Sequence, residues 1–455
     1  MKLENDLGRD SVGRLVLRIA LPSMLAQFVS VFYSIVDRMY IGHIPGAGAL
    51  ALAGVGVCGP VVTMIGAMAF WVSTGGSPLM SIRLGEGKDE EAGRILSNCF
   101  VLLIAFALAL TAMAIPLREP MLRLFGASEA TYPYAEEYFV IYMAGTVFAL
   151  LSSGLNQFIV AQGFARAGMA LVMLGAVLNI VLDPLLIFLL DWGVGGAAAA
   201  TVISQAVSAL GAVLFLRLRA PVRLTLCPLE GKRVRRVLTL GFTPFAIISI
   251  DAAMIIAMNA VLQHYGGAQQ GDLLVTCATI AQSGMLVITM PLGGITSGTE
   301  TILGYNYGAM KLDRVRKAQR TILMLCVGFV GVMFVLARAL GPAFVSLFTK
   351  DAQIADMSFW AIRVFTLAII PLGIQYELVD GFTAMGQVRL SFTLSFFRKA
   401  VYFGALFALP AFFGAKAAFY AEPVSDVIGP LFTVIVHRLA FERVLRRRQE
   451  QGTGV

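Results

Sequence analysis

Long uncharged stretches of apolar residues place the strongest limit on how this chain can fold. Four of them cover residues 95–117, 138–165, 192–216 and 273–299 without a single Asp, Glu, Lys or Arg. Each exceeds the ~20 residues that an α-helix needs to cross ~30 Å of hydrocarbon. Because 58% of the residues are hydrophobic and only 14% are charged, too little polar surface remains to cover a water-soluble globule. The sequence therefore predicts a polytopic membrane protein.

Charged residues, glycines and prolines divide the apolar sequence into about twelve predicted transmembrane helices. An all-α fold is expected because a segment surrounded by lipid satisfies its own backbone only as a helix. The first apolar stretch is long and is followed by many others, so we expect no signal peptide and a mature start at Met1. The predicted helices cover 14–42, 49–79, 93–117, 131–161, 168–190, 195–218, 235–264, 271–301, 315–340, 354–385, 390–413 and 416–440.

Lys and Arg residues are distributed unevenly between the predicted loops. If both termini are cytoplasmic, 28 of the 35 basic residues fall in segments on the inner side, and these include Arg398 and Lys399. We therefore expect a multi-pass protein of the cell (inner) membrane with both termini in the cytoplasm. The formal net charge of +8 then reflects topology and contact with membrane lipids, and no nucleic-acid partner is expected.

The two halves of the chain repeat each other weakly. An offset of 222 residues aligns Pro22 with Pro244 and residues 74–78 with 296–300. Because each half then contains six helices, both halves have the same orientation, and we expect a pseudo-two-fold axis along the membrane normal. The predicted parts are an N-terminal six-helix lobe at 1–220, a basic cytoplasmic linker at 221–236 and a C-terminal six-helix lobe at 237–455.

Short polar motifs occur along the whole chain. They are Ile-Val-Asp at 35–37, Arg-Leu-Gly-Glu-Gly at 83–87, Asn-Ile-Val-Leu-Asp-Pro at 179–184, Gly-Tyr-Asn-Tyr-Gly-Ala at 304–309 and Glu-Pro-Val-Ser-Asp at 422–426. In this order, and with twelve helices in a doubled plan, the chain resembles the multidrug and toxic compound extrusion (MATE) transporters, especially the bacterial MepA-like and DinF-like branch. The resemblance implies an antiporter without a cofactor, coupled to H⁺ or Na⁺, that exports amphiphilic and often cationic organic compounds by alternating access.

Asp37 is the clearest candidate for handling the coupling cation. An ionisable side chain at membrane depth is costly and is kept only where it meets a partner, a cavity or an ion. Gln27, Ser30 and Ser34 precede Asp37 at helical spacing, so the four are expected on one inward face of the first helix. Pairing with Arg38 is the alternative, but consecutive residues lie about 100° apart on a helix and do not face each other.

The fifth predicted helix offers further oxygen ligands. Asn179 and Asp183 are one turn apart, and Pro184 is expected to free backbone carbonyls, which bind ions at broken membrane helices. The resemblance implies that Asn156 and Thr201 join them in a site of the amino-terminal lobe, although an interhelical hydrogen bond without a ligand stays open for both. No metal is expected beyond Na⁺ at Asp37, Asn179, Asp183 and Thr201. The predicted coupling set is Asp37, Asn156, Asn179, Asp183 and Thr201.

The second half has not kept the carboxylate of the first. The repeat offset places Asn259 opposite Asp37, so the two lobes are not equivalent. For Glu377 and Asp380, one turn apart in the tenth helix, cation binding and a water-lined polar interface both stay open. Glu422 and Asp426 are expected to stabilise helix ends. The substrate or second-lobe polar candidates are Gln27, Ser34, Asp251, Asn259, Glu377 and Asp380.

Two other functions are weighed against export. A lipid-linked oligosaccharide flippase of the same superfamily needs a basic central cavity, for which only Arg38 and Arg363 are candidates. A membrane-embedded enzyme needs a catalytic set, and neither a Ser/His/Asp pattern nor HExxH is visible, so no enzyme is predicted. The expected partners are small amphiphilic molecules and membrane lipids, and the protein is expected to be a monomer.

Overall fold

Helices fill the computed structural model, which describes residues 6–45, 47–125, 127, 129, 131–225, 227–348 and 351–453. These residues contain no β-strand. In the described part of the chain, nine helices are long and apolar enough to cross a membrane, or ten if one pair bent by 56° counts as a single span. The predicted all-α polytopic fold is confirmed.

In the first half, two of the predicted crossings are each divided into two helices. The second crossing breaks at Cys58 and the fourth at Gly145, where a Cβ atom would overlap the side chain of Val202. At Gly145, where the chain changes direction, only glycine leaves room for Val202, which belongs to the helix over Gly193–Leu218. In chain order the helices are α1 Val12–Gly42, α2 Gly48–Val57, α3 Gly59–Gly85, α4 Asp89–Ala114, α5 Arg118–Leu124, α6 Tyr132–Ala144, α7 Thr146–Ala161, α8 Ala165–Pro184 and α9 Gly193–Leu218.

The helices of the second half begin with α10, Gly231–Gly308, which contains the predicted seventh and eighth crossings. Its backbone turns at Gly267, whose φ of 60° lies in the left-handed region that favours glycine. A helix therefore occupies every predicted crossing. The remaining helices are α11 Leu312–Val345, α12 Ala352–Phe365, α13 Ile369–Ala384, α14 Val388–Phe413 and α15 Ala421–Thr453.

The chain forms two compact units. The first unit consists mainly of Leu21–Phe245, and the second consists of Gly8–Ala20 together with the chain from Ala246 onward. Both α1 and α10 therefore begin in one unit and continue in the other. The assignment of the lobes to 1–220 and 237–455 stays a prediction.

The predicted basic linker is part of the first unit, where side chains of the preceding helices form hydrogen bonds with its backbone. Gln162 donates to the carbonyl oxygen of Val222 at 3.2 Å and accepts from its backbone nitrogen at 2.9 Å. Asn98 accepts from the backbone nitrogen of Glu230 at 2.8 Å, and the Ser97 hydroxyl donates to the carbonyl of Thr225. These bonds satisfy backbone groups of the linker that would otherwise bind water. The basic side chains of the linker point away from this contact, and Arg223 is exposed.

Within the first unit, α3 and the first turns of α10 approach each other at two glycines. A Cβ atom on Gly75 or Gly241 would overlap the backbone of the opposite helix. Close to this contact, Trp71 donates from its indole nitrogen to the carbonyl of Leu238 at 2.8 Å and stacks on Phe245 with ring centroids 4.5 Å apart. The short interhelical distance therefore depends on the absence of two side chains.

We expect Gly75→Ala and Gly241→Ala each to destabilise the protein by about 1–3 kcal/mol, the usual cost of forcing extra atoms into a packed contact. Thermal unfolding in detergent, followed by circular dichroism, would register this as a lower Tm. Gly66→Ala is the matched control, since Gly66 lies on α3 with open space around its Cβ position. Equal Tm values for all three variants would contradict the close contact.

Candidate functional site

The five residues of the predicted coupling set come from α1, α7, α8 and α9 of the first unit, and three of them are hydrogen-bonded to one another. Because Asn179 and Asp183 are one turn apart on α8, the Asn179 amide reaches the Asp183 carboxylate, Nδ2 to Oδ1, at 3.2 Å. The same nitrogen lies 3.4 Å from the Thr201 hydroxyl, which itself donates to the carbonyl of Ala197 at 3.1 Å. Helical spacing and the packing of α8 on α9 therefore bring these side chains together.

Asp37 completes this arrangement from α1. Its carboxyl group lies within hydrogen-bonding reach of the Asp183 carboxyl, and Asp183 is fully buried. Two carboxylates in contact repel each other, so the pair is stable only when a proton or another cation neutralises part of its charge. The Tyr33 side chain lies near both acids.

Several oxygens of the site are buried without a hydrogen-bond partner among the described residues. Such atoms lose their hydration without replacement, which makes them ready ligands for a proton or a cation. Carboxylate, amide and hydroxyl oxygens also suit Na⁺, as found at interrupted membrane helices. The atoms are Oδ1 of Asp37, Oδ1 of Asn156, Oδ1 of Asn179 and Oδ2 of Asp183.

A cavity of about 140 Å³ in the first unit is lined by Asn156, Asn179 and Thr201 of the coupling set, whereas Asp37 and Asp183 are not among its lining residues. It has room for a cation with several waters but is smaller than the ~300–1,000 Å³ of pockets for drug-sized ligands. Small residues of α8, including Gly175 and Ala176, line it opposite polar side chains of α7 and α9. Among the described residues its polar lining consists of Ser30, Tyr33, Ser152, Ser153, Asn156, Asn179, Thr201, Ser204, Gln205 and Ser208.

Pro184, the residue predicted to free backbone carbonyls, lies at the end of an α-helix. Helix α8 ends at Pro184, and the chain continues as a π-helical turn over Leu185–Leu189. A proline donates no backbone hydrogen bond, and the regular α-helix ends here, one residue beyond Asp183. The carboxylate therefore lies next to an irregular stretch of backbone inside the first unit.

The face predicted for α1 is only partly correct. Ser30 and Tyr33 line the cavity, whereas Gln27 and Ser34 do not, and the exposed Ser34 hydroxyl donates to the carbonyl of Ser30 at 2.9 Å. That bond satisfies the hydroxyl within its own helix. Tyr33 was missed, although its position four residues before Asp37 could have indicated it, because residues at that spacing share a face.

Gln205 in α9 was missed in the same way. It follows Thr201 by one turn, lines the cavity and donates to the Tyr142 hydroxyl at 3.5 Å. Its Oε1 is buried and no described residue donates to it. Amide side chains in membrane helices commonly form ordinary hydrogen bonds between helices. Only the one-turn spacing from Thr201 could therefore have indicated that Gln205 lines the cavity.

The second unit brings Glu377 and Asp380 together with Glu300. The three carboxyl groups are close enough to repel one another, and Asp380 is also hydrogen-bonded to Thr296. Glu377 is almost completely buried, and among the described residues nothing donates to its Oε1. Asn259 does not join this cluster, although its own Oδ1 is buried without a described partner. The predicted pair is therefore part of a larger carboxyl cluster.

Arg398 and Lys399 correct the assignment of basic residues to the cytoplasmic side. Both are buried near the middle of α14, where a cytoplasmic residue would be exposed at a helix end. Arg398 pairs with Asp426 at 2.7 Å between Nη1 and Oδ1, and Lys399 pairs with Asp251. The role predicted for Asp426 at a helix end is therefore wrong, because this carboxylate neutralises a buried arginine. For Glu422 the Arg398 guanidinium is 4.0 Å away.

Membrane-spanning helices that enclose an oxygen-lined cavity and paired charges define the protein as a multi-pass membrane transporter. The MatE family model matches residues 22–185 and 247–407, which together exceed half of the chain. The chain belongs to this family. Its members are transporters, so the protein is not an enzyme.

Individual relatives are distant in sequence but match over almost the full length. The Multidrug export protein MepA of Staphylococcus aureus is 22% identical over 444 residues, 96% of each chain. The FAD transporter of Shewanella oneidensis is 26% identical over 446 residues, 94% of this chain and 95% of its own. A crystal structure of MATE in complex with MaD3S aligns with a TM-score of 0.89 at 21% identity, covering 97% of this chain and 98% of that one.

Removal of the buried arginine is expected to destabilise the second unit. Arg398→Met leaves the Asp426 carboxylate buried without its partner, at a cost of about 3–5 kcal/mol. Adding Asp426→Asn in the same chain removes the orphan charge and should recover most of that loss. Thermal unfolding in detergent measures both variants, and a single variant as stable as the wild type would contradict the buried pair.

Proposed function

We propose that the protein is a cation-coupled antiporter, driven by H⁺ or Na⁺, which exports amphiphilic organic cations by alternating access. The observation that carries the proposal is the approach of the Asp37 and Asp183 carboxyl groups, with Asn179 hydrogen-bonded to Asp183 and lining an oxygen-rich cavity. No basic side chain lines that cavity among the described residues. An ion from outside the chain is therefore the natural source of the missing positive charge.

The coupling ion acts through its preference for one conformation. A cation bound by Asp37 and Asp183 relieves their repulsion, with Asn179, Asn156 and Thr201 as the further oxygen ligands. A ligand shifts a conformational equilibrium only by its difference in affinity for the two states. Cation entry favours the state with the tighter oxygen cage, and competition with the cation drives release of the exported compound.

The charge of the site favours cationic substrates. The relative named Multidrug export protein MepA supports export of varied organic compounds. The relative named FAD transporter implies an anionic substrate, for which the cavity of the first unit is a poor match, because no basic side chain lines it among the described residues. A flippase for pyrophosphate-linked lipids meets the same difficulty, since the buried Arg398 and Lys399 are already paired with carboxylates.

The proposal also covers the cellular setting of the transporter. We place it in the cell inner membrane with both termini in the cytoplasm, working as a monomer among membrane lipids and without an organic cofactor. Exposed arginines at the end of α9 and in the linker, such as Arg217, Arg219 and Arg223, support this orientation because they favour the cytoplasmic leaflet.

Asp37→Asn is expected to lower gradient-driven efflux at least about tenfold, because an amide neither takes up a proton nor balances the charge of Na⁺. Efflux of ethidium from proteoliposomes is measured under an imposed pH gradient and, separately, under an imposed Na⁺ gradient. The gradient that drives transport in the wild type identifies the ion. Asp89→Asn is the control, since Asp89 is an exposed acid in the first turn of α4.

Unchanged efflux by the Asp37→Asn protein would refute the proposed role of the first unit. A matched pair of variants then locates the coupling site. Loss of transport in Asp183→Asn together with activity in Glu377→Gln supports the first unit. The reverse result assigns coupling to the carboxyl cluster of the second unit.

A further inference from the structure

A buried network of charges crosses the second unit at the depth of the predicted membrane centre. Arg398 and Lys399 lie midway along α14, and Asp251 lies midway along the predicted seventh crossing, inside α10. Glu422 and Asp426 approach them from α15. Charged side chains at this depth are expensive and persist only where each has a partner or reaches water.

Arg398 is enclosed by its partners. Its guanidinium contacts Asp426 at 2.7 Å and Glu422 at 4.0 Å, and the Asp426 side chain is completely buried. Gly429 permits this contact, because a Cβ atom there would overlap the aliphatic part of Arg398. The arginine and the two acids of α15 therefore form a closed group without access for a ligand.

Lys399 and Asp251 differ sharply in exposure. The Lys399 side chain is 3% exposed, whereas that of its ion-pair partner Asp251 is 47% exposed. An ionised carboxylate does not remain against hydrocarbon, so the exposed half of Asp251 faces water inside the membrane-spanning region. A ligand from that water can reach Asp251 without first reaching Lys399.

The network contains one more carboxylate than it has cations. Arg398 and Lys399 supply two positive charges, and Asp251, Glu422 and Asp426 supply three negative ones. A single additional positive charge balances the set, and Asp251 is the acid at which it can enter. Lys399 also lies within electrostatic range of Glu422 and Asp426, so its ammonium keeps acidic neighbours after leaving Asp251.

We infer that Asp251 binds the positive charge of a monovalent organic cation and that Lys399 is a tethered competitor that occupies this carboxylate when no cation is bound. The inference rests on the proposed export of organic cations and identifies a residue that selects their charge. The substrate ammonium displaces the lysine, which turns towards Glu422 and Asp426. A dication leaves the network with an excess positive charge, so monovalent cations are preferred.

Equilibrium binding of ethidium to the purified protein in detergent tests the inference through Lys399→Met. Removal of the competitor should lower the Kd for ethidium about tenfold, the effect expected of a close charge pair. Asp251→Asn should raise the Kd by a similar factor. In the double variant, removal of Lys399 frees no carboxylate because Asp251 is already an amide, so the two changes are not additive and the double variant should bind like Asp251→Asn.

Propidium, a dication with the same ring system, provides a second readout of charge. With Lys399 removed, the network carries two uncompensated negative charges, so propidium should gain more affinity than ethidium. Lys416→Met is the control, because it removes an exposed lysine of the same unit and changes the net charge equally. The control is expected to bind both dyes like the wild type.

The outcomes separate this inference from the proposed function. A wild-type protein that binds neither dye contradicts the proposed export of organic cations. A wild type that binds ethidium, with a folded Lys399→Met protein of unchanged Kd, refutes only the tethered competitor. If Lys399→Met does not fold, Lys399→Gln removes the same charge while keeping a polar end, and the same lowering of Kd is required of it.

Discussion

The cost of moving an ion from water into hydrocarbon governs the arrangement of polar groups in this protein. Asp37 and Asp183 of the first unit meet next to Asn179, which lines a cavity, whereas Arg398 and Lys399 of the second unit each lie beside an opposite charge. The helices therefore have to pack so that each buried charge can be balanced. The π-helical turn after Pro184 and the glycine that accommodates Arg398 are local departures from regular packing that place charges where they can be balanced.

The positions of the helices could be predicted because span length and apolar content are local properties of the sequence. Their interruptions could not. Cys58 and Gly145 break predicted crossings, and at Gly145 the cause is a side chain of α9 that lies 57 residues away in the sequence. A break of this kind depends on which helices meet, and periodicity along one helix carries no information about its neighbours.

In the candidate sites, too, contacts within one helix could be predicted from the sequence, whereas contacts between distant helices could not. The one-turn spacing of Asn179 and Asp183 was sufficient to predict their contact, and the structure brings Thr201 to the same amide. The partners of Lys399 and Arg398 were out of reach, because the positive-inside rule describes average loop composition and contains no term for a cation neutralised within a helix. Their acids lie on α10 and α15, and only the packed second unit brings these side chains together.

The Asp37–Asp183 pair of the first unit and the Lys399–Asp251 pair of the second balance their charge in opposite ways, and the difference follows from their residues. In the first pair two acids meet, and no base lines the neighbouring cavity among the described residues, so neutrality requires an ion from solution. In the second, Lys399 supplies a cation from the chain itself, and a bound ligand has to displace it. The first arrangement makes affinity depend on the ion gradient, while the second makes it depend on the charge of the ligand. Asn259, opposite Asp37 in the repeat, lacks the carboxylate that would have made the two arrangements alike.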